Sequence, residues 1–600
     1  MAEFELTSDT PDARPDPMRS RLVGLQVVIG LCAMGLLIWE LGWDLTLHHA
    51  SISESITWGL VILALVAEAG LAWYQFPRSK YKRYALIVML VVLAAGRFGL
   101  EHPLRDLFGG YVSPRTAALS ALLAVQVTLL VPLFFRFIRV TRIAIFHRLS
   151  PGVLFVGSFA LATGVGTLML KTPNATVDGI SWLDAWFTST SAICVTGLIV
   201  VDTEHAFTPH GQFVILFLIQ CGGLGIMTLT YFLALVLGQG ISLRDTANLG
   251  ELFSDENLGA MGSFVARIVV LTLVVELAGA LFIHWSWRDL ELSNTQRWWS
   301  SVFHSISAFC NAGFSTFSEG LARSDLVENR PFQCVIMLLI ITGGIGFAVL
   351  EDLPRLARRL LARTLRIFLP RSRFVSRLYF GKRVKLHTKL ALISTVSLLL
   401  GGAVLLLWVA AEPVSSKGIW DAVFNSVTTR TAGFNINSFA SYNFAGVVVL
   451  CFLMFIGGSP GGTAGGVKTT TFAVALGELG RLIRGHPSLH LFQRRIPKDI
   501  VERTSATIVL SVLWVVAMIF LISFTHPELD PTDVVFECFS AFGTVGISRG
   551  ITGELNTFGK VIIIVSMFAG RVGLLTLVLT IGGCRSPRRY ELMEGHLPLN

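Results

Sequence analysis

Apolar residues form long uninterrupted runs down this chain, and the polar residues between them are confined to short connections. Runs near 20 residues suit a helix that crosses the hydrocarbon of a bilayer, which takes about 20 residues at a rise of about 1.5 Å each. Four such runs come first, at about 22–42, 56–75, 84–100 and 117–137. From residue 150 the pattern changes to a long run, a shorter helical stretch, a brief segment closed by glycine, and a second long run. That unit occurs four times, at about 150–243, 260–353, 386–480 and 501–584. The pattern predicts an all-α integral membrane protein, with four spans in an N-terminal extension (1–147) and two in each of four units (148–585), twelve in all. A short tail fills 586–600.

The short segments repeat in detail. They read FTSTSAICVTGL at 187–198, FHSISAFCNAGF at 303–314, FNSVTTRTAGF at 424–434 and FECFSAFGTVGI at 536–547. Their glycines, Gly197, Gly313, Gly433 and Gly546, are 116, 120 and 113 residues apart, so one helix, re-entrant pore loop, helix unit is carried four times. A single chain needs that pseudo-fourfold arrangement to bring four loops to one axis, where backbone carbonyls replace the hydration shell of a cation. A helix entering from outside aims its C-terminal end at the axis, and its dipole presents there about half an elementary negative charge. The segments that follow are Val195-Thr196-Gly197, Asn311-Ala312-Gly313, Thr431-Ala432-Gly433 and Thr544-Val545-Gly546, and they share no side-chain ligand. Main-chain oxygens are therefore the expected ligands, with glycine allowing the dihedrals that turn them inward.

A second glycine-rich stretch, GGSPGGTAGGVKTTT at 457–471, interrupts the returning run of the third unit. Irregular backbone at membrane depth is tolerated only where protein buries it or water reaches it, so this stretch is expected across the inner half of the pore, below the filter. Gly458, Ser459, Gly461, Gly462, Thr463, Gly465, Gly466 and Lys468 are its candidate gate residues, although Lys468 reads equally as a solvated helix end. A phosphate-binding loop is excluded because no strand precedes it and the GxxxxGK[ST] spacing is absent. Arg571, in MFAGRVG at 567–573, joins the gate set, since an arginine inside a spanning helix is costly unless it faces water or a partner. A glycine-rich point recurs in each returning run, at Gly222-Gly223-Leu224-Gly225, Gly343-Gly344-Ile345-Gly346, Gly457-Gly458 and Gly570-Arg571-Val572-Gly573, and reads equally as close packing or as a hinge.

Composition agrees with a membrane protein: 53% of the 600 residues are hydrophobic, 14% are charged and mean hydropathy is +0.66. The net charge of +9 does not point to nucleic acid, because the basic residues sit in short connections. Residues 355–389 hold twelve Lys/Arg and no acid, Arg78, Lys80, Lys82 and Arg83 form another cluster, and 481–503 is basic again. Asp178, Asp184, Asp421, Glu528, Asp530 and Asp533 lie instead beside the glycine segments. Basic connections inside and acidic ones outside put both termini in the cytoplasm of a cell-membrane protein, and the outer acids would raise local cation concentration. The first seventeen residues are polar and Pro-rich, so no cleavable signal peptide is expected. Eight cysteines without CxxC or Cys/His spacing argue against disulfides and zinc, and Cys194 and Cys310 are expected to be packing residues. An intramembrane enzyme is disfavoured, since HExxH, GxSxG and opposed carboxylate pairs are missing.

Over about 148–584 the chain resembles the membrane subunit of the Trk/Ktr/HKT superfamily of potassium transporters, most closely the Ktr type. The four glycine segments, the 457–471 stretch and MFAGRVG carry the resemblance. It implies potassium bound by filter carbonyls, an intramembrane gate at the broken third unit, and a homodimer on a cytosolic RCK-type ring. That ring would bind the nucleotide, ATP, ADP or NAD, and sodium would be an activating ion. In plant members serine in the first filter goes with sodium transport; Gly197 holds that place here. Sodium-permeable and voltage-gated cation channels are the alternatives.

Two features depart from the family pattern. Arg549, three residues after Gly546, sets a positive charge near the outer mouth unless an acid such as Glu554 neutralises it. The extension at 1–147 precedes the family's core; Arg136, Arg139 and Arg142 end its fourth span and Glu68 lies in its second, as in a voltage sensor. Stop-transfer charge at a cytoplasmic helix end is the preferred reading, since 117–135 holds no arginine.

Overall fold

The computed structural model describes parts of 25–63 and, beyond them, 151–237, 261–368, 385–409 and 415–582. The chain divides into two compact units, Met1–Leu149 and Ser150–Asn600. In the first, the described residues are almost all helical. Its third and fourth apolar runs, Glu68, the Arg78 to Arg83 cluster, Arg136, Arg139 and Arg142 lie outside the described residues, as does the tail at 586–600.

The described part of the second unit is helical apart from isolated bridges and one antiparallel hairpin, β1 (His490–Leu491) with β2 (Arg494–Arg495). Four groups of helices follow one another. The first holds α1 (Pro151–Leu170), the short α2 (Trp182–Ile193) and α3 (Pro209–Leu237). The second holds α4 (Met261–Ser286), the short α5 (Asn294–Cys310), and α6 (Arg330–Ile345) running into α7 (Phe347–Phe368). The third holds α8 (Leu386–Val409), the short α9 (Ser416–Thr428), α10 (Phe444–Phe455) and α11 (Thr469–Ile483). The fourth holds α12 (Lys498–Thr525), the short α13 (Pro531–Gly543), α14 (Thr557–Val572) and α15 (Leu574–Gly582).

Local sequence fixes where these helices start. Each short helix opens on a capping side chain, Ser181, Ser293, Ser415 or Asp530, that accepts a backbone N–H of the first turn, at 3.0, 3.3, 3.0 and 2.7 Å. Asn329, Asn443 and Asn556 do the same for α6, α10 and α14. At the glycine-rich points of the second and fourth groups, which the sequence reads equally as packing or as hinges, the structure bends, by 106° between α6 and α7 and by 95° between α14 and α15. The cause is one residue each: Gly346 and Gly573 have φ of 94° and 90°, outside the range of any helix. α8, α12 and residues 267–286 of α4 are each long and apolar enough to cross a membrane alone.

Helix contacts inside a bilayer gain little from excluding water, so close packing and hydrogen bonds must hold them. The motif phenylalanines Phe187, Phe303, Phe424 and Phe536 are all fully buried. Two residues after the motif phenylalanine in three of the short helices, the hydroxyls of Ser189, Ser305 and Ser426 donate to the carbonyls of Thr163, Glu276 and Leu399 at 2.8, 2.6 and 2.8 Å. These bonds tie each short helix to the long helix before it. The returning helices touch the other side: a Cβ at Gly222, Gly343 or Gly570 would fall within 3 Å of the carbonyl oxygen of Ile193, Phe309 or Phe542, at the end of the short helix.

Alanine scanning of these glycines has a sharp expected outcome. Gly343→Ala and Gly570→Ala drive a methyl into backbone and should destabilise the protein by about 1–3 kcal/mol. Gly401→Ala, where nothing lies within 4 Å, should be neutral or slightly stabilising. Thermal unfolding in detergent, followed by aggregation on size exclusion, distinguishes them; equal midpoints for the three variants would remove the close-packing account.

Candidate cation site

The short helices α2, α5, α9 and α13 end alike. Val195, Asn311, Thr431 and Thr544 take left-handed φ values of 55, 62, 68 and 51°, and the glycines two residues on have φ of 96, 68, 80 and 89°. Non-glycine residues enter this region at a cost, so four in register mark an imposed geometry. Backbone bonds hold the turn: Thr196, Ala312 and Val545 N–H donate to Ser191, Ser307 and Ser540 carbonyls at 2.8, 2.7 and 2.8 Å, and Ala432 N–H donates to Thr428 at 2.9 Å.

The four glycines form a closed ring. A Cβ on Gly197 would meet the carbonyl oxygen of Ala312, one on Gly313 that of Ala432 at 2.8 Å, one on Gly433 that of Val545 at 2.5 Å, and one on Gly546 that of Thr196. Each segment thus lies against the next and the fourth against the first, with backbone where side chains would otherwise be. Above the ring is a cavity of about 330 Å³ lined by all four glycines, with Asp202, Ser318 and Glu319 among its polar wall residues. Below it, the Oγ1 atoms of Thr196, Thr431 and Thr544 are buried and have no hydrogen-bond partner within the protein.

Struts behind the ring escaped the sequence reading. Ser191, Ser307 and Thr428 hydroxyls donate to the carbonyl just past each glycine, at Leu198, Phe314 and Phe434, at 2.7, 2.8 and 2.6 Å. In the fourth segment Ser540 Oγ is unpartnered, and Glu537 instead takes Ser548 Oγ at 2.8 Å and the hydroxyl of Thr552. Their signal was the hydroxyl four residues after the motif phenylalanine in every copy.

Electrostatics around Arg549 and the acids beside the glycine segments differ from expectation. Arg549 is neutralised by Asp533, Nε to Oδ1 2.5 Å, not by Glu554, and it also donates to the carbonyls of Phe439 and Tyr442 at 2.9 and 3.2 Å. Asp184 is likewise consumed by Lys560 at 2.7 Å. Two of the acids assigned to attract cations are therefore already paired. Asp202, not singled out before, faces the cavity. Burial alone would raise its carboxyl, but hydrogen bonds, among them the N–H groups of Glu204 at 2.7 Å and His205 at 3.2 Å, outweigh this and hold it below the usual carboxylate range. It is ionised at neutral pH.

The 457–471 stretch is the non-helical joint between α10 and α11. Its neck is zipped by Gly457 N–H to Val467 O at 2.9 Å and Val467 N–H to Phe455 O at 3.2 Å, and Thr469 N–H donates to Gly458 O at 3.0 Å. The loop touches the second, third and fourth groups, and Arg571 links it to the first. Thr463 Oγ1 donates to Phe309 O at the end of α5 (3.2 Å), Gly457 abuts Thr431, Gly465 abuts Thr544, and Gly466 lies against Gly543. Arg571, 3% exposed, bridges the Thr463 carbonyl and Gly222 O, the latter at 2.8 Å. Lys468, the half-buried residue that precedes the first turn of α11, donates Nζ to Ala464 O within the loop at 2.6 Å. Ser459, Gly461 and Gly462 line the bend between α6 and α7.

Two buried polar groups were not foreseen. Arg430, 6% exposed, reaches Thr395 O and Gly457 O, both at 3.3 Å. Like Arg571, it has carbonyl partners and, among the described residues, no carboxylate within 4 Å. Glu276, 4% exposed within α4, is met by Gln220 Nε2 at 3.3 Å and Cys310 Sγ at 3.8 Å. Cys194 and Cys310 are free and buried, as packing residues would be.

A family of cation transport proteins, TrkH, matches residues 139–582. Ktr system potassium uptake protein B of Bacillus subtilis is 38% identical over 442 residues, 71% of this chain and 92% of that protein. The potassium/sodium uptake protein NtpJ of Enterococcus hirae is 33% identical over 465 residues, 75% of this chain and 98% of that protein. The crystal structure of the potassium transporter TrkH from Vibrio parahaemolyticus superposes with a TM-score of 0.56 at 20% identity, covering 82% of this chain and 97% of that one, a likeness of fold.

The Arg549–Asp533 pair offers a test that needs no transport assay. Its side chains are only 12% and 23% exposed, so Asp533→Asn should strand the guanidinium and cost about 2–3 kcal/mol. Arg549→Gln added to Asp533→Asn should recover part of that loss. Denaturation midpoints of the two variants decide it, and a double variant no better than the single one refutes the pairing.

Proposed function

The chain belongs to the TrkH family of cation transport proteins, and on that premise we propose that it is the membrane subunit of a potassium uptake system. The family's work is transport, not catalysis, and its seat is the membrane. Potassium passes through the ring of Gly197, Gly313, Gly433 and Gly546. Its ligands are the carbonyls of Val195 to Gly197, Asn311 to Gly313, Thr431 to Gly433 and Thr544 to Gly546, with the Thr196, Thr431 and Thr544 hydroxyls within reach. The observation that carries this reading is the closed contact of the four glycines, which leaves only backbone at the narrowest point. Movement inward is favoured by about 2.3 kcal/mol per charge per 100 mV of membrane potential.

The loop between α10 and α11 is the gate in this reading, and Arg571 its clamp. The protein works as a homodimer with both termini in the cytoplasm, on a cytosolic RCK-type ring that binds the nucleotide. Sodium acts as an activating ion. The name of the Enterococcus hirae relative, potassium/sodium uptake, keeps sodium permeation as the second reading. The first 147 residues are an accessory membrane extension, with stop-transfer charge at Arg136, Arg139 and Arg142.

Uptake by a potassium-transport-deficient strain, with and without a ring-forming partner, tests the function directly. For selectivity, Gly197→Ser should reduce potassium-to-sodium discrimination by about tenfold, the weight of one lost or misplaced polar contact. Unaltered permeability ratios in both Gly197→Ser and Gly433→Ser would refute the ring as the filter. For gating, deletion of 461–466 should raise potassium flux, most of all without the partner. A well-inserted deletion protein that conducts no faster than its parent would mean that the loop is not the barrier.

A further inference from the structure

α6 ends at Ile345 and α7 begins at Phe347, with Gly346 alone between them. In an unbroken helix the carbonyl of Gly343 would take the N–H of Phe347, four residues on. Here those groups are paired elsewhere, and all with the loop between α10 and α11. Gly343 O accepts Thr463 N–H at 3.2 Å, Gly344 O accepts Ser459 N–H at 2.9 Å, and Phe347 N–H donates to Gly461 O at 3.1 Å. The loop thus supplies the partners that the break takes away. Without them, a helix end inside the membrane would leave these groups unsatisfied.

Shape agrees with the bonding. Gly346 has φ 94° and ψ 145°, a conformation essentially confined to glycine. A Cβ there would stand 2.8 Å from Pro460 O and 3.2 Å from Gly462 N. Gly462 in turn leaves no room for a side chain, being 2.9 Å from Gly344 O and 3.0 Å from Gly343 O at its Cβ position. The similar break at Gly573 is different, since its Cβ position meets only Thr576 Oγ1 at 3.8 Å and no loop enters it. The first turns of α7 are also moored in the bent position, by Glu351 to Arg267 of α4 at 3.3 Å and by Thr388 of α8 to Asp352 at 2.7 Å.

We infer that Gly346 is the positioning residue of the inner loop: its break is the seat for Ser459 to Thr463, and leaving the seat lets α6 and α7 rejoin as one helix. Backbone bonds are exchanged in that step, not lost, so the two arrangements form a two-state element of the kind that switches use. The inference rests on the loop being the gate of a cation pathway. It goes further in naming the second group's returning helix as the part that must move when the gate opens. Anything that pulls on α7 from its far end, 22 residues from the bend, acts on the loop without touching it.

The test reads the helix and the flux separately, in the full chain reconstituted in liposomes. Spin labels at the lipid-exposed positions Leu338 and Leu361 flank the bend, and straightening should lengthen their distance by about 10 Å at 1.5 Å per residue. Deletion of 461–466 empties the seat while keeping Gly346, so a population at the longer distance is expected. Gly346→Ala should produce the same population and raise potassium flux several-fold, with no further rise when added to the deletion. Thr388→Val, which frees one mooring and leaves the seat intact, should move both readouts part of the way. A distance distribution unchanged by the deletion overturns the inference, as does a Gly346→Ala effect on flux that is equally large in the deleted background. Failure of the parent chain to carry potassium would instead refute the transport reading, and the label distances would still decide whether the loop holds the bend.

Discussion

Backbone polar groups inside hydrocarbon have to find partners within the protein, and this one constraint organises the described membrane domain. At the glycine segments and at the break at Gly346, another piece of the chain takes up the groups freed where helical geometry ends. The four glycine segments bond back to their own short helices and receive hydroxyls from Ser191, Ser307 and Thr428. The break at Gly346 is filled by the loop from the third group, and the neck of that loop is filled by itself.

The buried charges follow the same logic. Among the described residues no carboxylate lies against Arg571 or Arg430, and a bare guanidinium would be prohibitive in lipid. Both are surrounded by carbonyl oxygens that irregular backbone has exposed, and Arg430 also follows directly on the negative end of α9. A region rich enough in oxygen dipoles to host two guanidinium groups is also one that can host a cation. The arginines hold the loop at its neck and near its tip, beneath the ring and off to its sides, so that loop and ring form one bonded assembly.

The four groups share a plan but have been specialised unequally. The first keeps a continuous α3, the second breaks at Gly346, the third carries the loop, and the fourth breaks at Gly573 and supplies Arg571. Each change is useful only in combination with one in another group. Arg571 needs Gly222 and Thr463, and the loop needs Gly343, Gly344 and Thr544. Asymmetry of this kind is available to a single chain with four internal copies and not to four identical subunits.

Much of this was legible in the sequence, because it depends on short-range pattern. The run lengths gave the helical membrane class, the fourfold motif gave Gly197, Gly313, Gly433 and Gly546, and the density of glycine at 457–471 marked the one long irregular joint. What the sequence could not supply were the partners. Asp533 and Glu554 are both plausible neutralisers of Arg549 on the page, and only the packing of α13 chooses the first. Glu276 and Arg430 looked like one residue among many in an apolar run and a motif tail. The glycine-rich point at Gly343-Gly344-Ile345-Gly346 was visible, but close packing and a hinge read alike there, and nothing local says that the chain turns at Gly346. Its meaning comes from Pro460 and Gly461, more than a hundred residues away, just as Arg571 takes its meaning from Gly222, 349 residues before it. Periodicity and capping are properties of neighbours in sequence, whereas satisfaction of a buried polar group is a property of neighbours in space, and only the folded chain decides who those are.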